Sequence, residues 1–146
     1  MLRPYQKKCI TELYAKFRQG FNSILVVAPT GSGKTFMFCQ IAKDALSRNR
    51  KVLILLNREP LVEQTARSLN EFGIEEIDYI KAGYPENLDY NATIATVQSL
   101  NRRPKHHSRY FDLVIVDEAH ESAYSSAGKA FLSRNDIPFK VGFTAT

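Results

Sequence analysis

Short runs that are apolar on both faces recur along this chain, and most are separated by stretches with helical spacing. Ser23 to Ala28 (SILVVA), Lys51 to Leu56 (KVLILL), Ile77 to Ile80, Ala92 to Thr96 (ATIAT), Asp112 to Val116 (DLVIV) and Lys140 to Thr144 read as strands, the first as a buried one. A strand with apolar side chains on both faces must be covered on both, which helices flanking a parallel sheet achieve. Pro4 suits the first turn of a helix in which Tyr5, Cys9, Ile10, Leu13, Tyr14 and Phe17 share a face and Gly20 marks the stop. Lys34 to Arg48 carries Met37, Phe38, Ile41, Ala42, Ala45 and Leu46 on one side, and Pro60 to Phe72 begins with a proline and ends at Gly73. The predicted fold is therefore α/β, a three-layer sandwich around a mainly parallel sheet. Gly83 to Asn91 and Asn101 to Tyr110 are the only evident long loops, and there is no internal repeat.

Length and composition fit one domain: 146 residues, 44% hydrophobic and 24% charged, enough to bury roughly two thirds of the unfolded surface. Cys9 and Cys39 share no metal-type spacing, which argues against a disulfide framework or structural zinc and for a reducing compartment such as the cytoplasm. No apolar run reaches the ~18 residues of a membrane span, and Met1 to Gln6 does not resemble a signal peptide. A soluble intracellular protein is expected. The net charge of +5 is unevenly spread, at +9 over residues 1–58, −6 over 59–101 and +2 over 102–146. Basic segments flanking an acidic one suit a polyanionic partner, nucleotide or nucleic acid, although charge runs are more often just solvated faces.

Two motifs carry chemistry. Ala28-Pro29-Thr30-Gly31-Ser32-Gly33-Lys34-Thr35 lies between a strand and an amphipathic helix, in the form AxxGxGKT. Glycines there let successive backbone N–H groups converge on phosphate oxygens at a helix N-terminus; Lys34 can reach the β and γ phosphates and Thr35 can ligate magnesium. Val114 to His120 (VIVDEAH) is an apolar strand ending in acids, so Asp117 falls at the carboxyl edge of a parallel sheet, where ligands of open α/β sheets gather. Beside a phosphate loop Asp117 could hold magnesium, and Glu118 is a candidate base for the attacking water.

The pair APTGSGKT and DEAH, followed by Thr144-Ala145-Thr146, resembles motifs I, II and III of the first RecA-like motor domain of helicase superfamily two, over essentially the whole chain. The resemblance implies a RecA-like P-loop NTPase domain that uses ATP and Mg²⁺, in the branch that includes restriction subunits, DNA-repair and phage helicases. Leu2 to Gln6 (LRPYQ) then resembles the family's adenine-recognition element, with Gln6 pairing to the base and Arg3 lying against it. A glutamine amide can accept from the adenine amino group and donate to N7, and a guanidinium stacks on aromatic planes. Without the family, both are simply polar residues on a first helical turn. Asn57 to Gln64 (NREPLVEQ) and Ala95 to Leu100 (ATVQSL) resemble its nucleic-acid elements, so Arg58, Gln64, Thr96 and Ser99 are candidate contacts to phosphate; helix capping explains Thr96 or Ser99 equally well.

These assignments imply an ATP-dependent helicase or translocase motor. Lys34, Asp117 and Glu118 would be catalytic; Arg3, Gln6, Thr30, Gly31, Ser32, Gly33, Lys34 and Thr35 would bind nucleotide; Thr35 and Asp117 would hold the metal. His120, Thr144 and Thr146 would couple hydrolysis to movement. DNA is favoured over RNA because the RPYQ opening and the DEAH and TAT spellings look most like the DNA-repair, restriction-subunit and phage branch and motif Ia departs from the PTRELA of DEAD-box RNA helicases. Related openings occur in duplex-RNA-sensing motors, so an RNA helicase or duplex-RNA-dependent ATPase is the alternative. The chain stops at Thr146, inside motif III, so a larger motor with a second RecA-like domain is expected, and these residues alone should show little activity. A small P-loop kinase and a non-catalytic nucleic-acid-binding module are the rivals, opposed respectively by DEAH with TAT and by the intact Lys34, Thr35, Asp117 and Glu118. The run Arg102, Arg103, Lys105, His106, His107 and Arg109 could flank a bound strand or form a solvated loop.

Overall fold

The computed structural model describes residues 2–28, 33–81, 83–84, 89–102, 109–119 and 132–145. Six strands form one sheet: β1 (Ser23–Val27), β2 (Val52–Leu56), β3 (Ile77–Ile80), β4 (Ala92–Thr96), β5 (Leu113–Asp117) and β6 (Phe139–Thr144). Their order across the sheet is β1-β6-β5-β2-β4-β3, and every pairing is parallel. The helices are α1 (Pro4–Arg18), α2 (Lys34–Ser47), α3 (Pro60–Glu71) and the short α4 (Val97–Asn101). Each expected strand and helix is present, with ends displaced by one or two residues.

The two-faced strands behave as their composition requires. Every residue of β2, β4 and β5 is buried. Alternate side chains of these strands enter two separate cores. Ile54, Ile94 and Ile115 pack with Met37, Phe38, Ile41, Val62 and Leu69 from α2 and α3, while Leu53, Ala95 and Val114 pack with Leu100 and Phe111 on the opposite face. Burial of each such side chain stabilises the fold by about 1.5–3 kcal/mol, which holds the layers together. Edge contacts between aromatic rings fix two helices to β6, Phe17 of α1 against Phe139 at 4.7 Å and Phe38 of α2 against Phe143 at 5.7 Å.

One strand departs from expectation. SILVVA reads as a buried strand, yet β1 ends at Val27 and lies at the sheet edge with Leu25 and Val27 about 60% exposed. Among the described residues it pairs with β6 alone, and its Leu25/Val27 face is exposed, so two-faced apolarity here does not mean burial on both faces. Ala28 lies just beyond the strand and donates its N–H to the Thr144 carbonyl at 2.7 Å. None of the described helices is long and apolar enough to cross a membrane.

Candidate functional site

The parallel register sets the carboxyl ends of β1, β6 and β5 side by side, since Val27 pairs with Thr144 and Asp117 with Phe143. Asp117, the last residue of β5, is buried, and Lys34 begins α2 on the chain that leaves β1. The three charged residues singled out by sequence meet there. Lys34 Nζ lies 3.1 Å from Asp117 Oδ1 and donates a short hydrogen bond to Glu118 Oε1. Burial works against the lysine's charge, but the hydrogen bond to Glu118 and the charges of Asp117 and Glu118 outweigh it and raise the amine above its ordinary pKa. Lys34 is therefore a firmly protonated cation at the sheet edge.

Backbone conformation aims the second acid. Glu118 has φ 51°, a left-handed value uncommon for a residue with a side chain, and its N–H donates to Asp117 Oδ1 at 3.0 Å. The turn places two successive carboxylates against one ammonium instead of on opposite faces of a continuing strand. Nothing in the letters DE reports this.

Gly33 occupies the other side of the site as the N-cap of α2, with φ 75°. Its carbonyl accepts from Gln6 Nε2 at 3.3 Å, and a Cβ on Gly33 would meet that nitrogen far inside the 3.0 Å that real Cβ atoms keep. Glycine is required both by conformation and by the approach of Gln6. Gln6 itself is buried, and its Oε1 accepts the Arg3 backbone N–H at 2.7 Å. The amide thus ties the start of α1 to the start of α2. Thr35 is partly buried on the first turn of α2, and Thr144, at the end of β6, is buried between β1 and β5. Thr30, Gly31, Ser32, His120 and Thr146 lie outside the described residues.

The proposed nucleic-acid residues gather farther along the same edge, because Leu56 pairs with Thr96. Arg58 and Gln64 are exposed and Ser99 is partly buried. Thr96 is buried, and its Oγ1 accepts the Ser99 N–H at 3.1 Å, so this hydroxyl caps α4. Ser99 Oγ reaches Glu59 Oε1 at 3.5 Å, and Lys81 lies 3.5 Å from the other oxygen of Glu59.

Arg109 departs from the reading of its basic run. Its guanidinium is buried, pairs with Asp78 at 2.7 Å, donates to the Tyr90 carbonyl at 3.1 Å and stacks over Phe111. It belongs to the interior beside β3, while residues 103–108 of the run lie outside the described residues. Sequence reasoning also passed over Phe36, exposed beside Gly33 and packed near Phe72. Its signal was an aromatic residue off the apolar face that Met37 and Phe38 define. Among the described residues, no group of three or more His, Cys, Asp or Glu side chains forms a metal-sized cluster.

Comparison with known proteins agrees with this arrangement. IRC3 of Saccharomyces cerevisiae, named as a candidate ATP-dependent helicase, is 32% identical over 162 residues, covering all of this chain and 23% of IRC3. The type ISP restriction-modification enzyme LlaGI, solved with a DNA substrate mimic, superposes with a TM-score of 0.78 at 24% identity over all of this chain and 17% of that one. The SWI2/SNF2 ATPase core of Sulfolobus solfataricus, solved with double-stranded DNA, gives a TM-score of 0.84 at 19% identity over all of this chain and 32% of that one. The chain thus spans less than a quarter of its curated relative. The family described as type III restriction enzyme, res subunit, matches residues 1–146. With all-parallel strands, a lysine at the start of α2 held by two acids and a match over its full length, the chain belongs to the type III restriction enzyme res-subunit family, as a RecA-like domain of helicase superfamily two.

Proposed function

We propose that this domain is the ATP-hydrolysing lobe of a helicase or translocase that moves on DNA inside a reducing compartment. The observation that carries the reading is the contact of Lys34 with both Asp117 and Glu118 at the carboxyl edge of the sheet, beside Gly33. ATP would enter with its phosphates at the α2 N-terminus and its base toward Gln6 and Arg3, across the segment containing Thr30, Gly31 and Ser32. Lys34 would exchange its carboxylate partners for phosphate oxygens and stabilise charge developing on the γ-phosphoryl group. The Thr35 hydroxyl and Asp117 carboxylate are hard oxygen donors that fit Mg²⁺. When bound, that ion neutralises charge on the β and γ oxygens. Glu118, already turned toward this point by its left-handed backbone, would orient the attacking water and accept its proton as the bond from the γ phosphorus to the bridging oxygen breaks.

Arg58, Ser99 and Gln64 line the edge beyond this site and would meet nucleic-acid phosphates, with Thr96 shaping the turn through its cap. The DNA complexes of LlaGI and of the Sulfolobus ATPase core support DNA as the track. His120, Thr144 and Thr146 would relay hydrolysis to a second RecA-like domain, whose arginines would complete the site. Without such arginines hydrolysis is slower by about 10³–10⁵, so these 146 residues alone should turn over ATP poorly.

Calorimetry with a non-hydrolysable ATP analogue tests the phosphate-site assignment: Lys34→Ala should abolish binding, and unchanged affinity would overturn it. ATPase stimulation of the longer natural protein by duplex DNA against duplex RNA decides the track. Stimulation by RNA alone would replace DNA with RNA in this reading.

A further inference from the structure

The amino ends of the strands carry a second cavity, of about 470 Å³, between α1, α2 and the starts of β5 and β6. Leu113 lies on its wall and Asp117 at the nucleotide edge, four residues along the same strand and so about 13 Å away. The floor is apolar, formed by Phe17, Ile41 and Phe139, and the mouth carries Arg18, Arg48 and Arg50. All three arginines are exposed, and among the described residues none of them has a carboxylate within ion-pair distance. The acid in the cavity, Asp44, is held by neutral donors, one oxygen accepting from Tyr14 at 2.6 Å and the other from Gln40 at 2.8 Å, and its single charge against three arginines leaves the lining net positive. A volume of this size lies within the range of ligand pockets.

Helix dipoles account for part of this charge. Arg18 ends α1 and Arg48 caps α2, where a cation complements the carbonyl end of each helix. They do not account for Arg50, which lies beyond α2 on the way to β2, or for an aromatic-floored cavity rimmed by three arginines. The floor also argues about the kind of ligand. Tyr14 and Asp44 satisfy each other, so the interior offers a nucleobase little to bond its polar edge, and the Asp44 charge disfavours a phosphate that enters deeply. An apolar side chain meets no such penalty. Carboxylates at its flanks would find guanidinium partners at the rim.

We propose that this cavity docks an acidic segment of a partner protein, with one aromatic side chain in the cavity and flanking carboxylates paired to Arg18, Arg48 and Arg50. The site is at the amino end of the strands and the proposed nucleotide site at the carboxyl end, so a bound partner would leave Lys34 accessible. Nucleic acid and a segment of the longer natural protein itself are the competing occupants.

A labelled, capped peptide Glu-Asp-Phe-Glu-Asp is titrated by fluorescence anisotropy into the 146-residue chain and into any longer protein in which the gene encodes it. Saturable binding below about 1 mM is expected to both. Replacing the peptide's Phe by Ser, or the double charge reversal Arg48→Glu/Arg50→Glu, should each weaken it by about tenfold or more. Ala45→Trp, which fills the cavity and keeps every charge, should do the same, and circular dichroism verifies that each variant folds. Binding that ignores the peptide's Phe or the Ala45 change would mean charge attraction alone and overturn the proposal, as would absence of binding at about 1 mM. Binding to the short chain but not to the longer protein would show the cavity filled in cis, also against it. Displacement of the peptide by duplex DNA, with the DNA lost in the same charge-reversal variant, would reassign the surface to nucleic acid.

Discussion

Replacing Gly33 by Ala isolates a contact that links the start of the chain to the start of α2. Two costs arise. The left-handed φ of 75° is unfavourable for alanine by about 1–2 kcal/mol. The new Cβ also meets Gln6 Nε2, so the buried amide must move and give up its bond to the Gly33 carbonyl, at about 1–3 kcal/mol for a buried polar group left unsatisfied. The sum is about 2–5 kcal/mol, or roughly 5–15 °C in melting temperature for a domain of this size. Gly73→Ala supplies the control: its φ is 84° but a Cβ there meets nothing within 4 Å, so only the first cost applies. Urea unfolding followed by circular dichroism should place Gly33→Ala about 1–3 kcal/mol below Gly73→Ala. The difference should vanish in a Gln6→Ala background, where the obstructing amide is gone. Equal losses at the two glycines, or a difference that survives Gln6→Ala, would refute the account of how α1 and α2 are joined.

The same glycine shows what could be read from sequence. Gly33 and Lys34 declare themselves through spacing, because a phosphate loop needs small residues and a cation at fixed separations. That Gln6, 27 residues away, would bond to the Gly33 carbonyl is a tertiary fact with no local signature. Gln6 was legible only as a possible base-reading residue, and its amide also serves as a tie between helices. Asp117 and Glu118 were legible as a strand-ending acid pair, whereas the positive φ of Glu118 that turns both toward Lys34 was not. Among the strands, VLILL and LVIVD were identifiable because burial on two faces leaves no polar alternation. β1 has the same composition, but its neighbours decide its burial, and at the edge it has only β6. Arg109 was misplaced for a similar reason: its partner Asp78 is 31 residues earlier on β3, invisible in a run of basic residues.

Further outcomes follow from these placements. Arg109→Met removes the guanidinium that pairs with the buried Asp78 carboxylate and should cost up to about 3–5 kcal/mol in urea unfolding, while Asp78→Asn/Arg109→Met should recover much of this; a loss under about 1 kcal/mol for the single variant would show the pair to be dispensable. Cys39 is fully buried with its thiol pushed by that burial up to about 12, so a disulfide-exchange reagent near neutral pH should modify Cys9 first and Cys39 only on unfolding; equal rates would contradict the packing of α2. Lys34 is held above its ordinary value of 10.5, so its stabilising contribution is complete below that pH and is lost as pH rises through the higher folded value. The stability gap between the chain and Lys34→Met should therefore be flat up to about pH 10 and shrink above it, and a gap that grows with pH would reverse the assignment.

The contacts of Lys34 make a final, more discriminating claim about the two acids. If Lys34 serves a γ-phosphate as proposed, nucleotide would compete for it with Asp117 and Glu118, both of which it contacts. Glu118→Gln removes one competitor and leaves the proposed metal donors Thr35 and Asp117 in place. Its effect on affinity should be level or favourable, by up to about fivefold for one partly exposed ion pair, even as ATP hydrolysis falls. Asp117→Asn also loosens Lys34 but removes a donor for Mg²⁺, so binding should weaken in Mg²⁺ and not in excess chelator. Calorimetry of both variants with and without Mg²⁺ separates the roles. If Glu118→Gln loses affinity as severely as Lys34→Ala, the glutamate serves to build the nucleotide pocket, and the division of labour between a metal-holding aspartate and a water-directing glutamate fails.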